Sequence, residues 1–367
     1  MTSGRISQRM SSLVEQLIPV PPAGTHESAA KRTTYHRRPG LTAFLEERFL
    51  VPAYSSPRAP LWIAAHQALS LPLQLQGKVQ HYAAHRDRQH LRVIGIGRRK
   101  CFEPLLRRLF GQLTELPTVA TRRLWSPAAL DGIHADLVIA EVNRLVASRF
   151  RDAGWLLMPD SVRWAGETAT VPPPVPPHSL KEDYRKLRRY EYSLIQTTDW
   201  RLWEEFYETM LVPQAVSRFG EAAWLPSRHF IAELAARGVL HMLHREGQWV
   251  AAICSVRHGD TIWLPLSGVL NGDSLLLRQG VSVAVFSNIF RWARAQGAVR
   301  IDAGRTTPFL NDGIPRSKSK WGLRPVLDPL SHLLALRFDP TSSMSAAFAA
   351  HPIMVEDAEG LKVYNGV

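Results

Sequence analysis

Between residues 171 and 177 the chain reads Val171-Pro172-Pro173-Pro174-Val175-Pro176-Pro177. Proline lacks an amide hydrogen and fixes φ near −65°, so such a run cannot sit inside a helix or a central strand. It predicts an extended, polyproline-like connector and divides the chain into two halves. With 367 residues there is enough chain for two cores of ordinary size, spanning 36–170 and 178–367. Residues 1–35 are basic and rich in Ser and Thr, without apolar periodicity, and read as a poorly ordered tail.

Composition limits the function classes. Apolar residues make up 45% of the chain and there are 11 tryptophans, which requires a folded core. No run of eighteen apolar residues exists and the N-terminus lacks a secretory apolar region, so a cytoplasmic protein without a membrane-spanning helix is expected. Only Cys101 and Cys254 occur, which gives neither a disulfide framework nor a cysteine-rich zinc site. The formal net charge is +13, a surplus suited to polyanions such as nucleic acid, coenzyme A phosphates or anionic lipid. Peripheral contact with a membrane is compatible with it.

In the first half, residues 91–97, 136–141 and 155–158 read as strands and 102–113 as an amphipathic helix, so the class is mixed α/β. After the prolines, Ser179 and Glu182 have the spacing of a capping box, and Leu180, Tyr184 and Leu187 share one helical face. A second helix is expected from Asp199 to Leu211, ending before Pro213, and a third from Ser227 to Gly238. Three strands joined by tight turns follow, at 239–245, 250–257 and 261–270. A helix then begins near 275–281 and ends at Gly297. A strand at 299–303, a long polar loop at 305–324 and a strand at 333–338 complete the reading.

Helix, helix, three-strand meander, helix, strand is the element order of the GNAT acyltransferases. From Ser179 to Gly322 the sequence resembles the FemAB-like branch of that superfamily, including its CelD-like members. The likeness rests on the basic opening helix SLKEDYRKLRR, Arg218-Phe219-Gly220, Val250-Ala251-Ala252, Gly297 with Asp302-Ala303-Gly304, and Lys320-Trp321-Gly322. It implies tandem GNAT-like halves, each a mostly antiparallel mixed sheet flanked by helices. It also implies that the second half carries the donor site.

Such enzymes hold donor phosphates on the amides opening the helix after the meander, where unpaired N–H groups and the helix dipole favour anions. The resemblance places Arg278, Gln279, Gly280 and Ser282 there, although Leu277 and Ser282 depart from the family pattern. It assigns Lys320 to stabilising charge on the attacked carbonyl and Asp302 to accepting the amine proton. Arg218, Arg305, Lys318, Trp321 and Arg185 are implied substrate contacts. Lys181, Arg185, Arg188 and Arg189 form a basic stripe suited to phosphates.

Other motifs fall short. Ile94-Gly95-Ile96-Gly97 is followed by Lys100 where a dinucleotide fingerprint needs glycine, His81 and His85 lack a zincin frame, and Cys254 lies in an apolar strand. The expectation is an N-acyltransferase moving an acyl group from acyl-CoA to an amine of a polysaccharide precursor or small metabolite. No resident cofactor and no metal are expected. An aminoacyl-tRNA donor and a non-catalytic, GNAT-shaped binding protein are the alternatives.

Overall fold

The computed structural model describes residues 41–366 except 87, 88, 221, 222 and 340–342; the tail read at 1–35 lies outside the described residues. The first elements are α1 (Leu41–Ser55), α2 (Ala59–Gln74), β1 (Gln76–Arg86), β2 (Gln89–Ile96), α3 (Arg99–Phe110), β3 (Leu113–Arg123), β4 (Leu137–Val142), α4 (Arg144–Asp152), β5 (Leu156–Pro159) and β6 (Val162–Glu167). Beyond the prolines come α5 (His178–Leu187), β7 (Tyr192–Thr197), α6 (Trp200–Glu205), a π-helical turn (Phe206–Leu211), α7 (Val212–Phe219), α8 (Arg228–Ala235), β8 (Gly238–Arg245) and β9 (Gln248–His258). The remainder is β10 (Thr261–Trp263), β11 (Ser267–Val269), α9 (Ser274–Arg278), α10 (Val281–Ala295), β12 (Arg300–Thr306), α11 (Gly313–Lys320), β13 (Arg324–Val326), β14 (Leu333–Phe338), α12 (Ser343–Ala350), β15 (Ile353–Glu356) and β16 (Leu361–Tyr364).

The strands form two mostly antiparallel mixed sheets flanked by helices. The first has the order β16-β15-β5-β14-β4-β2-β1-β3, and the second β13-β6-β12-β10-β9-β8-β7, with β11 on β9. Each contains one parallel pair, β2 with β4 and β10 with β12. Parallel neighbours need a crossover, and helices α3 and α10 lie within those two crossovers.

The proline segment is not the boundary between the sheets. Strand β6 precedes it yet pairs with β12 and β13, while β14, β15 and β16 return to the first sheet. The segment itself is anchored: Val171 is buried and Arg294 of α10 donates to the carbonyls of Thr168 and Val171. Apolar burial at this junction drives the exchange, since Val162, Trp164 and Val171 join the core of α10, β9 and β12.

Strands β8 and β9 and the start of α9–α10 fall where the sequence places them. Four expectations need correction. The segment 261–270 is two short strands, because β10 follows β12 while β11 stays on β9. Helix 200–219 continues past Pro213: the wider π turn before it places the proline in the first turn of α7, where an amide hydrogen is not needed. The N-cap of α5 is Pro177, without a side-chain cap bond, so Ser179 and Glu182 form no capping box. Finally, Gly238 opens β8, and Ala236 is the C-cap of α8.

Candidate functional site

The one parallel ladder of the second sheet is short. Thr261, Ile262 and Trp263 face Arg300, Ile301 and Asp302, and Leu264 N donates to the Asp302 carbonyl at 2.7 Å. Past Gly304, which still lies against the Leu264 and Pro265 carbonyls, no ladder joins β12 to β11. β11 pairs antiparallel with β9, and the register of β12 against β6 slips between Asp302 and Arg305. Gly304 makes the slip: its φ is +75°, and a Cβ there would lie 2.9 Å from the Leu264 carbonyl. An L residue would meet both backbone strain and a backbone clash. The result is a splay between β11 and β12 at the carboxyl end of a parallel pair, where ligands of open α/β sheets collect.

β11 leads through α9 to the start of α10. Asp273 caps α9, its carboxylate accepting the Leu275 amide at 2.6 Å. Gly280 then turns the chain with φ +92° and begins a 15-residue helix. The first amides of that helix have no carbonyl within it to meet. Three basic residues stand near this end, of which Lys186 turns its ammonium to Asp183 and Arg278 donates to Ser274 Oγ. Arg245 donates to Gln279 Oε1 at 2.8 Å and lies 4.6 Å over the Tyr190 ring. Arg278 is exposed, and a Cβ on Gly280 would touch Lys186 at 3.5 Å. The sequence reading found Arg278, Gln279, Gly280 and Ser282 but missed Arg245 and Lys186, which arrive from other elements.

The polar loop expected at 305–324 contains helix α11, and its two lysines point to different neighbours. Lys318 is buried, and its Nζ donates to the carbonyls of Ala303 at 2.7 Å, Gly304 at 3.1 Å and Arg305 at 3.2 Å. Carbonyls alternate along a regular strand, so three in succession reach one atom only because β12 is bulged here. Burial pulls the Lys318 ammonium down to about 7, with Asp302 acting in the opposite direction. Lys320 instead pairs with Asp183 on α5, away from the bulge.

Asp302 is 1% exposed, and both its oxygens are engaged. Oδ1 accepts the Gly304 amide at 2.9 Å, and Oδ2 accepts from Arg163 Nε at 2.7 Å and from its Nη2. The carboxylate therefore braces the bulge. Arg163, on β6 before the prolines, carried no sequence signal.

Arg305 pairs with buried Asp328, which also accepts from the Tyr54 hydroxyl. The Arg163 guanidinium stacks 4.3 Å over the Tyr54 ring. Burial pushes the Asp328 carboxyl up, but Arg305, Tyr54 and the Leu330 amide hold it below the usual range. Arg305 is thus part of a lock between α1, the second sheet and the loop before β14. Trp321 is 1% exposed and packs edge-on against Tyr184 and Phe290, in the core of the second sheet. Arg218 lies on the surface with its guanidinium 3.7 Å from where a Gly313 Cβ would stand, and Arg185 is exposed on α5. Neither reaches the bulge through a contact. Cys254 is fully buried, and burial pushes its thiol up to about 12.

The first sheet has a corresponding place, and it is filled. At the start of α3, the carboxylate of Glu141 from β4 accepts the Arg98 amide at 2.9 Å and pairs with the Arg98 guanidinium. An internal anion occupies the helix start that a phosphate would otherwise need.

Residues 180–309 match the family model described as the acetyltransferase (GNAT) domain. That stretch holds α5 through β12, and with it the splay and the Gly280 helix start. No curated protein sequence matches the chain. Among solved structures, L-PGS from Bacillus licheniformis is similar at 15% identity, covering 82% of this chain and 95% of its own, with a TM-score of 0.39. FemX is similar at 10% identity, covering 80% and 96%, with a TM-score of 0.36. A tandem GNAT protein from the clavulanic acid biosynthesis pathway is similar at 11% identity, covering 81% and 94%, with a TM-score of 0.32.

Proposed function

We propose that this chain is an N-acyltransferase whose acyl donor lies in the splay between β11 and β12, its phosphates at the start of α10. One observation carries the reading. Within the segment that matches the GNAT domain, an interrupted parallel ladder and a glycine-initiated helix, with Arg245 bonded to Gln279 just before it, belong to the same crossover. The break in the ladder leaves room for an acyl chain between the strands, and the helix start suits a pyrophosphate.

Acyl-CoA is the leading donor, and the acceptor is an amine of a polysaccharide precursor or small metabolite. The neutral amine attacks the thioester carbon, the C–N bond forms as the C–S bond breaks, and the amine proton ends on the departing thiolate. Holding both reactants in one cleft supplies most of the advantage. Lys318, Asp302 and Arg163 are positioning residues that hold the bulge shaping one wall. Of the two lysines on α11, Lys318 is the one that reaches this wall. Because Glu141 fills the α3 start, the donor belongs to the second sheet, and the first contributes shape and acceptor contacts.

A second reading keeps the cleft and exchanges the donor for aminoacyl-tRNA. The exposed Lys181, Arg185, Arg188 and Arg189 on and just beyond α5, next to the α10 start, favour it. Thermal-shift titration with coenzyme A, acyl-CoAs and bulk tRNA, repeated between about 50 and 200 mM salt, separates the two readings. tRNA binding falls steeply over that range because many counterions are released, whereas coenzyme A binding changes little. A chain stabilised by none of these ligands is not an acyltransferase of either kind.

A further inference from the structure

Helix α2 packs one apolar flank, Trp62, Ala65, Leu69 and Leu73, against Phe49 of α1, yet its outward face is apolar as well. Its sequence, APLWIAAHQALSLPLQ, contains no charged residue. The side chains it buries are polar: His66, Gln67, Ser70 and Gln74. They meet polar partners, with Gln67 donating to the Pro329 carbonyl, Gln74 beside His332 Nδ1, and Asn143 donating to Ser70 and Gln74. The outward face is apolar. Leu61, Ala64, Ala68 and Pro72, spaced three or four residues apart, are all exposed, and Leu61 is 69% exposed. They form one stripe about 16 Å long. A helix whose outer face meets water alone carries polar side chains on that face.

Two more exposed apolar side chains stand on segments joined to α2. Leu145, 58% exposed, opens α4, which packs on α2. Trp125, 52% exposed, follows Leu124, whose amide donates to the Leu75 carbonyl just past the end of α2. The Trp125 carbonyl in turn accepts from Arg149 of α4 at 3.0 Å. Cations border this area: Arg58 precedes α2, and Lys78, Arg122, Arg123 and Arg149 are exposed around Trp125. Arg123 and Arg122 face Gln76 and Gly77 across the β1–β3 ladder, which keeps them beside the end of α2.

We propose that this face docks on an anionic lipid surface. The stripe and Trp125 enter the interfacial layer, and the cations meet the headgroups. An apolar face with a tryptophan and a basic border is the composition that such contact requires. A twofold contact between two copies is disfavoured, because it would bring the same cationic border against itself. The inference stands apart from the acyltransferase reading, since none of these residues lines the splay.

The test is co-flotation of the full chain with vesicles of phosphatidylcholine and of phosphatidylcholine mixed with phosphatidylglycerol. Binding is expected to the mixed vesicles and to fall with salt. Leu61→Glu and Trp125→Ser, both at exposed positions, should each abolish most of it without changing the melting temperature. Arg122→Gln with Arg123→Gln should weaken it by about fivefold per arginine. Absence of flotation with mixed vesicles, or flotation indifferent to all these variants, overturns the proposal. So does a concentration-dependent dimer that Leu61→Glu dissociates while vesicles capture nothing, which would assign the face to a second copy.

Discussion

Lys318 Nζ lies 2.7 Å from the Ala303 carbonyl oxygen, and the carbonyls of Gly304 and Arg305 converge on the same nitrogen. One buried side chain thereby holds three consecutive peptide units of β12 out of regular strand geometry, at the point where β12 leaves β10.

Replacing that lysine should loosen one wall of the cleft. Lys318→Met leaves three buried carbonyls without a donor, and displacement of the wall by about 1 Å is enough to lower kcat by ~10²-fold. Donor affinity, set at the start of α10, should change little. Arginine cannot place three donors at one point and should not rescue. Steady-state kinetics that show a raised donor KM with unchanged kcat would assign Lys318 to donor binding and contradict the positioning role.

Stability should depend on pH through the same group. The folded-state value of about 7 lies below the ordinary lysine value, so the unfolded chain binds more protons between the two. The cost of burying the ammonium is full below pH 7 and disappears as pH rises toward about 10.4. Lys318 alone therefore makes the fold more stable across that interval. Urea denaturation of wild type and Lys318→Met from pH 7 to 10 should show the wild type gaining on the variant. Parallel curves would contradict this.

Lys320→Ala should be mild. Its pair with Asp183 is partly exposed, and such pairs contribute up to about 1 kcal/mol. Turnover should stay near that of the wild type. A loss of turnover approaching that of Lys318→Met would give Lys320 a role in the chemistry.

Glu141→Gln tests the plugged helix in the first half. It leaves the Arg98 guanidinium without its buried partner, a change that costs about 3–5 kcal/mol where one half of a buried pair is removed. Chemical denaturation should register that loss while donor affinity of the folded protein is unchanged. A new phosphate-dependent stabilisation in the variant would show that the α3 start becomes an anion site once its internal negative charge is removed.

Much of the fold was readable because it is local. Turn residues Glu246-Gly247 and Gly259-Asp260 set the β8–β9–β10 meander, and Gly280 marks the start of α10. What escaped the sequence depends on distant residues. Arg163 and Asp302 are 139 positions apart, and nothing near Val162 indicates that β6 crosses to the second sheet. Strand β14 reads as apolar in any position, so its place between β4 and β5 was not legible. The choice between Lys318 and Lys320 required knowing that 313–320 is helical. Two positions in a helix are separated by about 200°, so one lysine faces β12 and the other α5. The segment GIPRSKSK carries too few apolar residues to reveal that face.

The central claim, that a donor's phosphates sit at the start of α10, is tested most directly by isothermal titration of coenzyme A and of bulk tRNA into wild type and Ser282→Glu. A carboxylate in the first helical turn favours the dipole by about 0.3–1 kcal/mol, so the fold is retained, while it places negative charge where the phosphates would lie. The account predicts that wild type binds one of the two ligands and that Ser282→Glu loses that binding without loss of melting temperature. Equal binding by the two proteins, or no binding of either ligand to wild type, would contradict it.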